Sequence, residues 1–245
     1  MDSGFYAACT ALKSRTEALD TIANNLANAS TAGYRARHNV FSSMLATAGG
    51  AQLSDLNQTT NNYGVLSSTR LDLSQGALQK TGNDLDVAIS GPGFFAVQTA
   101  AGVRYTRNGN FHSSSKGQLV TASGDPVLGD KGPIAIVGTP VSISPDGTIS
   151  ANGAVAGHLR VVEFASTSDL TSVGENYYSA PALAGKPATA STLEQGALET
   201  SNVNPVISVV EMISAQREAD TMRHVLTMFD SEMDKTAAQD LPHIG

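Results

Sequence analysis

Residues whose types could support chemistry are few and widely dispersed along the chain. Asp84 and Asp86 lie in a predicted strand next to a turn, where paired carboxylates are more often solvated than catalytic. Gly91-Pro92-Gly93 is a poor phosphate loop, because its proline removes a backbone N–H donor. No histidine has a second His, Cys or Glu at metal-ligand spacing; the five are His38, His112, His158, His224 and His243. We therefore predict no catalytic site, no metal site and no cofactor.

Composition and charge argue against several further classes of protein. The chain has 245 residues, of which 41% are hydrophobic and 15% charged, as in foldable soluble proteins. A net charge of -7 without a Lys/Arg cluster argues against nucleic-acid binding. No apolar run approaches the roughly 18 residues that span a bilayer, so membrane insertion is not expected. The start, Met1-Asp2-Ser3-Gly4, lacks a basic region and a following apolar core, so a cleaved signal peptide is not expected either.

The segment from Pro205 to about Ala237 predicts one long helix, because it contains no glycine and Asn204 is a good N-cap before a proline at the first helical position. Apolar residues alternate at spacings of three and four and so form one stripe along the helix. The members of this C-terminal stripe are Met212, Ala215, Ala219, Met222, Leu226, Phe229 and Met233. Such a stripe must be covered by another surface.

The other end of the chain carries a similar pattern. Phe5, Leu12, Leu19 and Leu26 repeat every seven residues, and Ile22 fills an intermediate position. This N-terminal stripe is narrow, so an isolated helix of this length would be marginal in water. We therefore predict an α+β fold in which long N- and C-terminal helices pair as a coiled coil around a central antiparallel β-rich domain.

The middle of the chain has the signature of an antiparallel β domain. Short apolar runs alternate with turn sequences and no helical pattern intervenes; examples of such runs are Leu85–Ile89, Phe94–Val97, Val103–Thr106 and Leu159–Phe164. Asn108-Gly109 predicts a hairpin turn with positive φ. The tetrapeptide Gln-Gly-Ala-Leu occurs at 75–78 and at 195–198, which suggests two equivalent strands. The predicted domains are terminal helices at 1–46 and 204–245, an extended connector at 47–74 and a β-rich domain at 75–203.

The end of the first helix, from Ala23 to Arg35, is unusually rich in side-chain amides. Two interpretations are open: a polar helix end that finishes in a turn at Gly33, or a surface of repeated contacts with a neighbouring chain. The residues considered for such contacts are Asn24, Asn25, Asn28, Thr31, Gly33, Tyr34 and Arg35.

The same stretch resembles the N-terminal signature of flagellar rod and hook axial proteins, which runs Ala-Asn-Asn-x-Ala-Asn and then Thr-x-Gly-Phe-Lys. Tyr34 and Arg35 stand where that signature has Phe and Lys, and arginine is not equivalent to lysine if the position forms a shaped ion pair. The resemblance continues through segments that cover nearly the whole chain in order: 85–95, 105–111, 117–121 and 195–203.

The resemblance implies a structural subunit of the bacterial flagellar basal-body rod that assembles helically and transmits torque across the periplasm. The proximal-rod (FlgF) type is the most similar, and the distal-rod (FlgG) type and hook-type axial proteins are the alternatives. Implied partners are copies of the chain, other flagellar rod proteins and the flagellar type III export apparatus.

Two further classes of function are kept for comparison. A surface binding module predicts a pocket in the β domain lined by convergent polar groups. An enzyme predicts titratable residues clustered in one cleft, and it is the weakest of the three classes.

Overall fold

The computed structural model of the chain describes residues 3–43, 64–164, 170–181 and 184–240. Two helices lie in the described part, α1 (Ser3–Ala27) and α2 (Pro205–Asp240). The strands of the described part are β1 (Arg37–Ser43), β2 (Gly64–Leu71), β3 (Leu78–Lys80), β4 (Val87–Ser90), β5 (Phe94–Thr99), β6 (Gly102–Thr106), β7 (Phe111–Ser113), β8 (Leu119–Thr121), β9 (Leu128–Gly129), β10 (Gly132–Pro133), β11 (Val141–Ile143), β12 (Thr148–Ala151), β13 (Ala154–His158), β14 (Val161–Phe164), β15 (Thr171–Gly174), β16 (Tyr177–Ser179), β17 (Gly185–Pro187), β18 (Thr192–Gln195) and β19 (Ala197–Glu199).

The chain divides into two compact units. The helical unit comprises Met1–Leu26, Arg37–Arg70 and Asn204–Gly245, and the β unit comprises Ala27–Ala36 and Leu71–Val203. Most of the predicted connector lies outside the described residues. Its described part contributes β2, which pairs with β1 in a two-stranded sheet.

Helix α2 begins where the capping signals predict. The Asn204 side-chain oxygen accepts hydrogen bonds from the backbone N–H groups of Val206 (3.0 Å) and Ile207 (3.3 Å), while Pro205 occupies the first helical position. These contacts satisfy donors that have no partner inside the helix. The N-terminal boundary of α2 was therefore predictable from local chemistry.

The predicted coiled-coil pairing of the two helices is wrong, although two helices around a mainly β centre do agree with an α+β fold. A coiled coil needs large apolar side chains sealed in a seam. The heptad residues of α1 are instead only partly buried: Phe5, Leu12, Leu19 and Leu26. The fully buried side chains on the described surfaces of the helices are small or polar: Ala8, Ser14, Ala18 and Asn25 in α1, and Ser208, Ala215 and Ala219 in α2.

The physical reason lies partly in β1, which contacts the last turns of α1. The Thr21 hydroxyl donates to the Asn39 side-chain oxygen (3.0 Å), and Asn25 bonds the backbone of Arg37. An exposed ion pair between Arg15 and Glu218 (3.0 Å) links α1 to α2, but ion pairs of this kind contribute little. The heptad pattern thus indicated a covered face without indicating what covers it.

The β unit is built around a six-stranded sheet with the order β15-β16-β6-β5-β14-β17. A three-stranded sheet, β11-β12-β13, and the pairs β3-β19, β4-β18, β7-β8 and β9-β10 complete it. Within the described residues, the strand pairings of the β unit are antiparallel, as the short, evenly spaced strands predicted.

Two apolar clusters lie on opposite faces of β5, because successive side chains of a strand alternate in direction. Phe95 and Val97 belong to a cluster with Phe111, and the Phe95 and Phe111 ring centroids are 5.0 Å apart in an edge-to-face arrangement. Phe94 belongs to the second cluster, where its ring meets those of Phe164 and Tyr178 edge-to-face. The β unit therefore contains a complete core of its own.

Two local predictions have different outcomes. The two Gln-Gly-Ala-Leu tetrapeptides do lie at strands that pair with each other, β3 and β19, but Ala77 is exposed whereas Ala197 is buried, so the two strands are not equivalent. The hairpin at Asn108-Gly109 is wrong, because β6 pairs with β5 and β16 while β7 pairs with β8. Gly109 does not adopt positive φ, and a Cβ there would lie 1.7 Å from the Val87 carbonyl oxygen. The glycine is required for close backbone approach, not for a turn.

Candidate functional site: the clasp and the helix stripes

The predicted N-terminal motif is divided between the two units. Asn24 and Asn25 lie in the helical unit, Asn24 exposed and Asn25 buried. The Asn25 side chain donates to the Arg37 carbonyl (2.8 Å) and accepts from the Arg37 N–H (2.9 Å), so it pairs with the backbone as a strand would. Asn25 therefore contacts its own chain.

The remainder of the motif forms a tight turn in the β unit. The Thr31 N–H donates to the Asn28 carbonyl (3.0 Å), and the Tyr34 N–H donates to the Thr31 carbonyl (3.2 Å). Gly33 has φ +67°, and a Cβ at this residue would lie 2.4 Å from the Arg107 carbonyl carbon. Only glycine satisfies both the dihedral angle and the space.

Arg35 leads from this turn to a buried charge cluster. Its Nη1 atom lies 2.6 Å from Glu199 Oε1, and Arg107 Nη1 lies 3.3 Å from Glu199 Oε2, so one carboxylate is shared by two guanidinium groups. The Gly76 N–H also donates to Oε1 (2.9 Å), and Arg107 Nη2 donates to the Gly91 carbonyl (2.6 Å). All three charged side chains are fully or almost fully buried.

Three backbone segments meet around this cluster, and we call them together the clasp: residues 33–36, 72–76 and 199–202. The Gly33 N–H donates to the Glu199 carbonyl (2.7 Å), and the Asp72 N–H donates to the Ala36 carbonyl (2.9 Å). The Asn202 side chain accepts from the Ala36 N–H (2.7 Å) and donates to the Asp72 carbonyl (3.2 Å). Each segment of the clasp is thus bonded to the other two.

The electrostatics of the cluster depend on Glu199. Burial lowers the pKa of Arg107 to about 10, and the negative charge of Glu199 opposes that shift. Arg107 is therefore still protonated at neutral pH, and its guanidinium also lies over the Phe94 ring, 4.9 Å from the centroid. Among the described residues, Nε of both arginines and Nη2 of Arg35 have no hydrogen-bond partner. Two buried positive charges consequently share one negative charge.

Sequence reasoning found Arg35 but missed Arg107 and Glu199. One signal for Glu199 was available, since Ala197 and Glu199 lie on the same face of β19 and both are buried. An acidic side chain on the inward face of a strand needs a cation or several donors.

The helix stripes are only partly covered. The members of the N-terminal stripe, Phe5, Leu12, Leu19, Ile22 and Leu26, are half-buried. In the C-terminal stripe Ala215 and Ala219 are buried, Met212, Met222 and Leu226 are half-buried, Phe229 is exposed, and the side chain of Met233 lies outside the described residues.

A second apolar face of α2 was missed by the sequence reasoning. Val206, Val209, Val210 and Ile213 follow helical spacing, and their exposed fractions are between 42% and 72%. Ile207 is exposed beside them. The first turns of α2 therefore present several β-branched side chains that the described residues of the chain leave exposed.

The clefts of the β unit offer weaker candidates. A cleft of about 250 Å³ contains His158, whose Nδ1 lies 3.2 Å from Asp130 Oδ2. Its volume is below the roughly 300–1,000 Å³ of typical ligand pockets. Within the described residues, no group of three His, Cys, Asp or Glu side chains is placed to hold a metal ion. Neither helix of that part is long and apolar enough to cross a membrane.

Comparison with known proteins identifies the family of this chain. Three family models match the chain: flagella basal body rod protein (residues 5–35), flagellar hook protein FlgE/F/G D1 domain (88–151) and flagellar basal body rod FlgEFG protein C-terminal (194–239). Flagellar basal-body rod protein FlgF of Caulobacter vibrioides is 34% identical over 252 residues, with 100% of both chains covered. The chain belongs to the FlgF/FlgG family of flagellar basal-body rod proteins. FlgF of Escherichia coli is 32% identical (94% of this chain, 95% of the relative), and FlgG of Bacillus subtilis is 33% identical (92% and 94%).

As a member of the FlgF/FlgG family, the chain has a structural role in the flagellar rod and is located in the basal body. Its relatives are structural rod proteins and not enzymes, in agreement with the sequence analysis. The three residues of the buried charge cluster come from three different matched segments. Arg35 lies in the first, Arg107 in the second and Glu199 in the third.

Proposed function

We propose that this chain is a proximal-rod subunit that assembles helically with copies of itself and with other rod proteins. Head-to-tail contacts that do not close into a ring generate a filament. Many such contacts side by side transmit torque across the periplasm. Export through the flagellar type III apparatus is part of this proposal and rests on the family membership.

The observation that carries the proposal is the contrast between a complete β core and helices that expose apolar side chains. Val206 and Val210 are 72% and 60% exposed, although both are large apolar residues in a regular helix. Contiguous exposed apolar surface in a soluble protein commonly marks an interaction site. Assembly into a rod supplies the missing cover.

Only some of the predicted site residues enter the proposal as subunit contacts, because Asn25, Gly33, Tyr34 and Arg35 are buried within their own chain. The N-terminal and C-terminal stripes would pack on neighbouring subunits, together with the exposed part of the Asn-rich motif at Asn24. The domain at 1–46 with 204–245 would act as the assembly part, and the domain at 75–203 as the part that folds by itself.

The proposal is tested by Leu226→Asp, with Thr227→Asp as a control that places the same charge on the adjacent, exposed residue. Leu226→Asp is expected to leave the β unit folded and to abolish swimming and recovery of the chain in isolated basal bodies. Thr227→Asp should preserve both. Normal motility with Leu226→Asp would refute the assignment of the C-terminal stripe.

A distal-rod subunit is the alternative, because relatives named FlgG match at 33–34% identity as well. The two are separated by complementation. A proximal-rod subunit should restore motility to a strain that lacks FlgF and fail in one that lacks FlgG, and the reverse outcome would favour the distal rod.

A further inference from the structure

We propose that Glu199 is a positioning residue for rod assembly: through Arg35 and Arg107 it holds together the segment that follows α1 and the segment that precedes α2. This inference rests on the proposed function, since it concerns how the subunit presents its helices. Chain order makes the position important, because residues 33–36 come shortly after α1 ends and residues 199–202 come shortly before α2 begins.

Glu199 contacts both of the other segments of the clasp, and Arg107 as well. Its two carboxylate oxygens bind Arg35, Arg107 and the Gly76 N–H, and its own carbonyl accepts from the Gly33 N–H. Arg35 also donates to the Ser74 carbonyl. Four separate stretches of chain are therefore fixed by this one residue.

The segments of the clasp are packed too closely to move independently. A Cβ at Gly76 would lie 2.0 Å from the Thr200 carbonyl oxygen, and a Cβ at Gly33 would lie 2.4 Å from the Arg107 carbonyl carbon. The backbones therefore approach so closely at these two glycines that no side chain fits between them. Loss of the central carboxylate should therefore open the segments together.

Substitution of Glu199 should open the clasp most strongly, because its one negative charge is shared by two buried arginines. Glu199→Gln keeps the shape of the side chain but leaves two buried guanidinium groups without a counter-charge, which is far more costly than removal of an exposed ion pair. The nearest relief is separation of the segments, so that water reaches Arg35. Arg107, which keeps its bond to the Gly91 carbonyl and its contact with Phe94, would be less affected.

Asp86 provides a matched control in the same unit. Its carboxylate is also buried, but its side-chain partners are neutral: Thr81 (2.7 Å), Asn110 (2.9 Å) and Asn83 (3.1 Å). Asp86→Asn removes a buried negative charge without leaving an arginine unpaired. It should therefore affect stability without opening the clasp.

The experiment is residue-resolved amide hydrogen exchange on the purified full-length subunit. In Glu199→Gln, the amides of Gly33, Ala36 and Gly76 should exchange at least about tenfold faster, while the amides of Ala96 and Val97 in β5 stay protected. In Asp86→Asn, the same clasp amides should keep their wild-type rates relative to β5. An equal acceleration of clasp and β5 in Glu199→Gln would overturn the proposal, because Glu199 would then serve only general stability.

If Glu199→Gln does not fold, a pair of milder variants, Arg35→Lys and Arg107→Lys, tests the same proposal. Arg35→Lys keeps the charge, but the lysine side chain ends one bond short of Arg35 Nη1, the atom that bonds both Glu199 and the Ser74 carbonyl. It should accelerate exchange at Gly33 and Ala36, whereas Arg107→Lys should act mainly at the loop of Gly91. Unchanged exchange at Gly33 and Ala36 in Arg35→Lys would overturn the proposal.

A motility assay then connects the clasp with assembly. Arg35→Lys should reduce swimming and recovery in basal bodies at a normal level of the protein, and Asp86→Asn should do so only as far as its level falls. Normal assembly with an open clasp would refute the positioning role. Failure of the wild-type chain to enter basal bodies would instead refute the proposed function and leave the exchange result standing.

Discussion

The two units of this rod protein bury different kinds of side chains. In the β unit, fully buried residues include large aromatic and aliphatic side chains such as Phe94, Phe95 and Ile89. In the described part of the helical unit, the buried residues are mainly alanine and serine, while valine and isoleucine at the start of α2 are exposed. Each buried large side chain contributes roughly 1.5–3 kcal/mol, so the β unit supplies most of the stability of the free chain.

Because of this difference, folding of the free subunit can depend on one unit and assembly on the other. A unit with a complete core can fold before it meets a neighbour, and a helix with an uncovered apolar face gains its burial on contact. β-branched residues are also weaker helix formers than alanine, so Val206 and Val210 cost helix stability in the free subunit. Matched changes in the two units, and further changes within the β unit, test this difference.

The largest expected difference comes from truncation of one phenylalanine in each unit. Phe95→Ala should lower the free energy of unfolding of the β unit by about 3–5 kcal/mol, because Phe95 is fully buried against Phe111. Phe229→Ala in α2 should cost less than about 1 kcal/mol, because Phe229 is 36% exposed and alanine favours the helix. Urea denaturation measures both values, and equal losses would contradict the comparison.

A pair of glycines tests the close packing at the clasp. Gly33→Ala and Gly82→Ala both place a side chain at positive φ, at +67° and +76°. Gly82 has open space around its Cβ position, so its cost should be only the roughly 1–2 kcal/mol of the left-handed conformation. Gly33→Ala should cost about 1–3 kcal/mol more, because the new methyl group meets the Arg107 backbone. Equal midpoints of thermal unfolding for Gly33→Ala and Gly82→Ala would show that the Arg107 backbone moves away from the new methyl group at little energetic cost.

Replacement of valine by its polar isostere, threonine, gives a smaller effect. Val97→Thr should destabilise the β unit by about 1–3 kcal/mol, because its hydroxyl would be buried. Val210→Thr should change stability by no more than about 0.5 kcal/mol, because Val210 is 60% exposed. A loss above about 1 kcal/mol at Val210 in a proven monomer would mean that its own chain covers this face.

The smallest effect concerns pH and belongs to the β unit alone. The Tyr177 hydroxyl donates to the Asp125 carboxylate (2.9 Å), and burial raises the pKa of Tyr177, with the nearby Asp125 charge adding to the shift. A raised pKa in the folded state means that this contribution to stability is present below pH about 10 and is lost as the pH rises through the folded pKa. Tyr177→Phe should flatten that part of the alkaline unfolding curve, whereas an unchanged curve would assign it to other groups.

Local chemistry made several elements predictable. The Asn204 cap and Pro205 marked the start of α2, a continuous apolar run marked β5, and an alternating apolar pattern marked β6. The Asn-Gly pair at 108–109 misled, because the same dipeptide serves a hairpin turn in one context and a close backbone approach in another. A dipeptide pattern reflects local conformational preference and does not show which other segment of the chain will pack against it.

Long-range contacts account for what the sequence could not predict. The heptads of α1 indicated a covered face, yet Asn25 and Thr21 are engaged by β1, which no periodicity reveals. The buried charge cluster joins Arg107 and Glu199, which are more than ninety positions apart, so its members looked unrelated along the chain. Of the three, Arg35 alone was singled out, as a member of the Asn-rich motif.

We propose that the β unit is self-sufficient and that the helices gain their cover on assembly. Amide hydrogen exchange on the purified, monomeric wild-type subunit tests this proposal, with α2 residues 206–213 compared with β5. We expect the α2 amides to exchange at least about a hundredfold faster than those of β5 and to become protected in isolated basal bodies. Equal, strong protection of both segments in the free monomer would contradict it, because the helices would then be covered by their own chain.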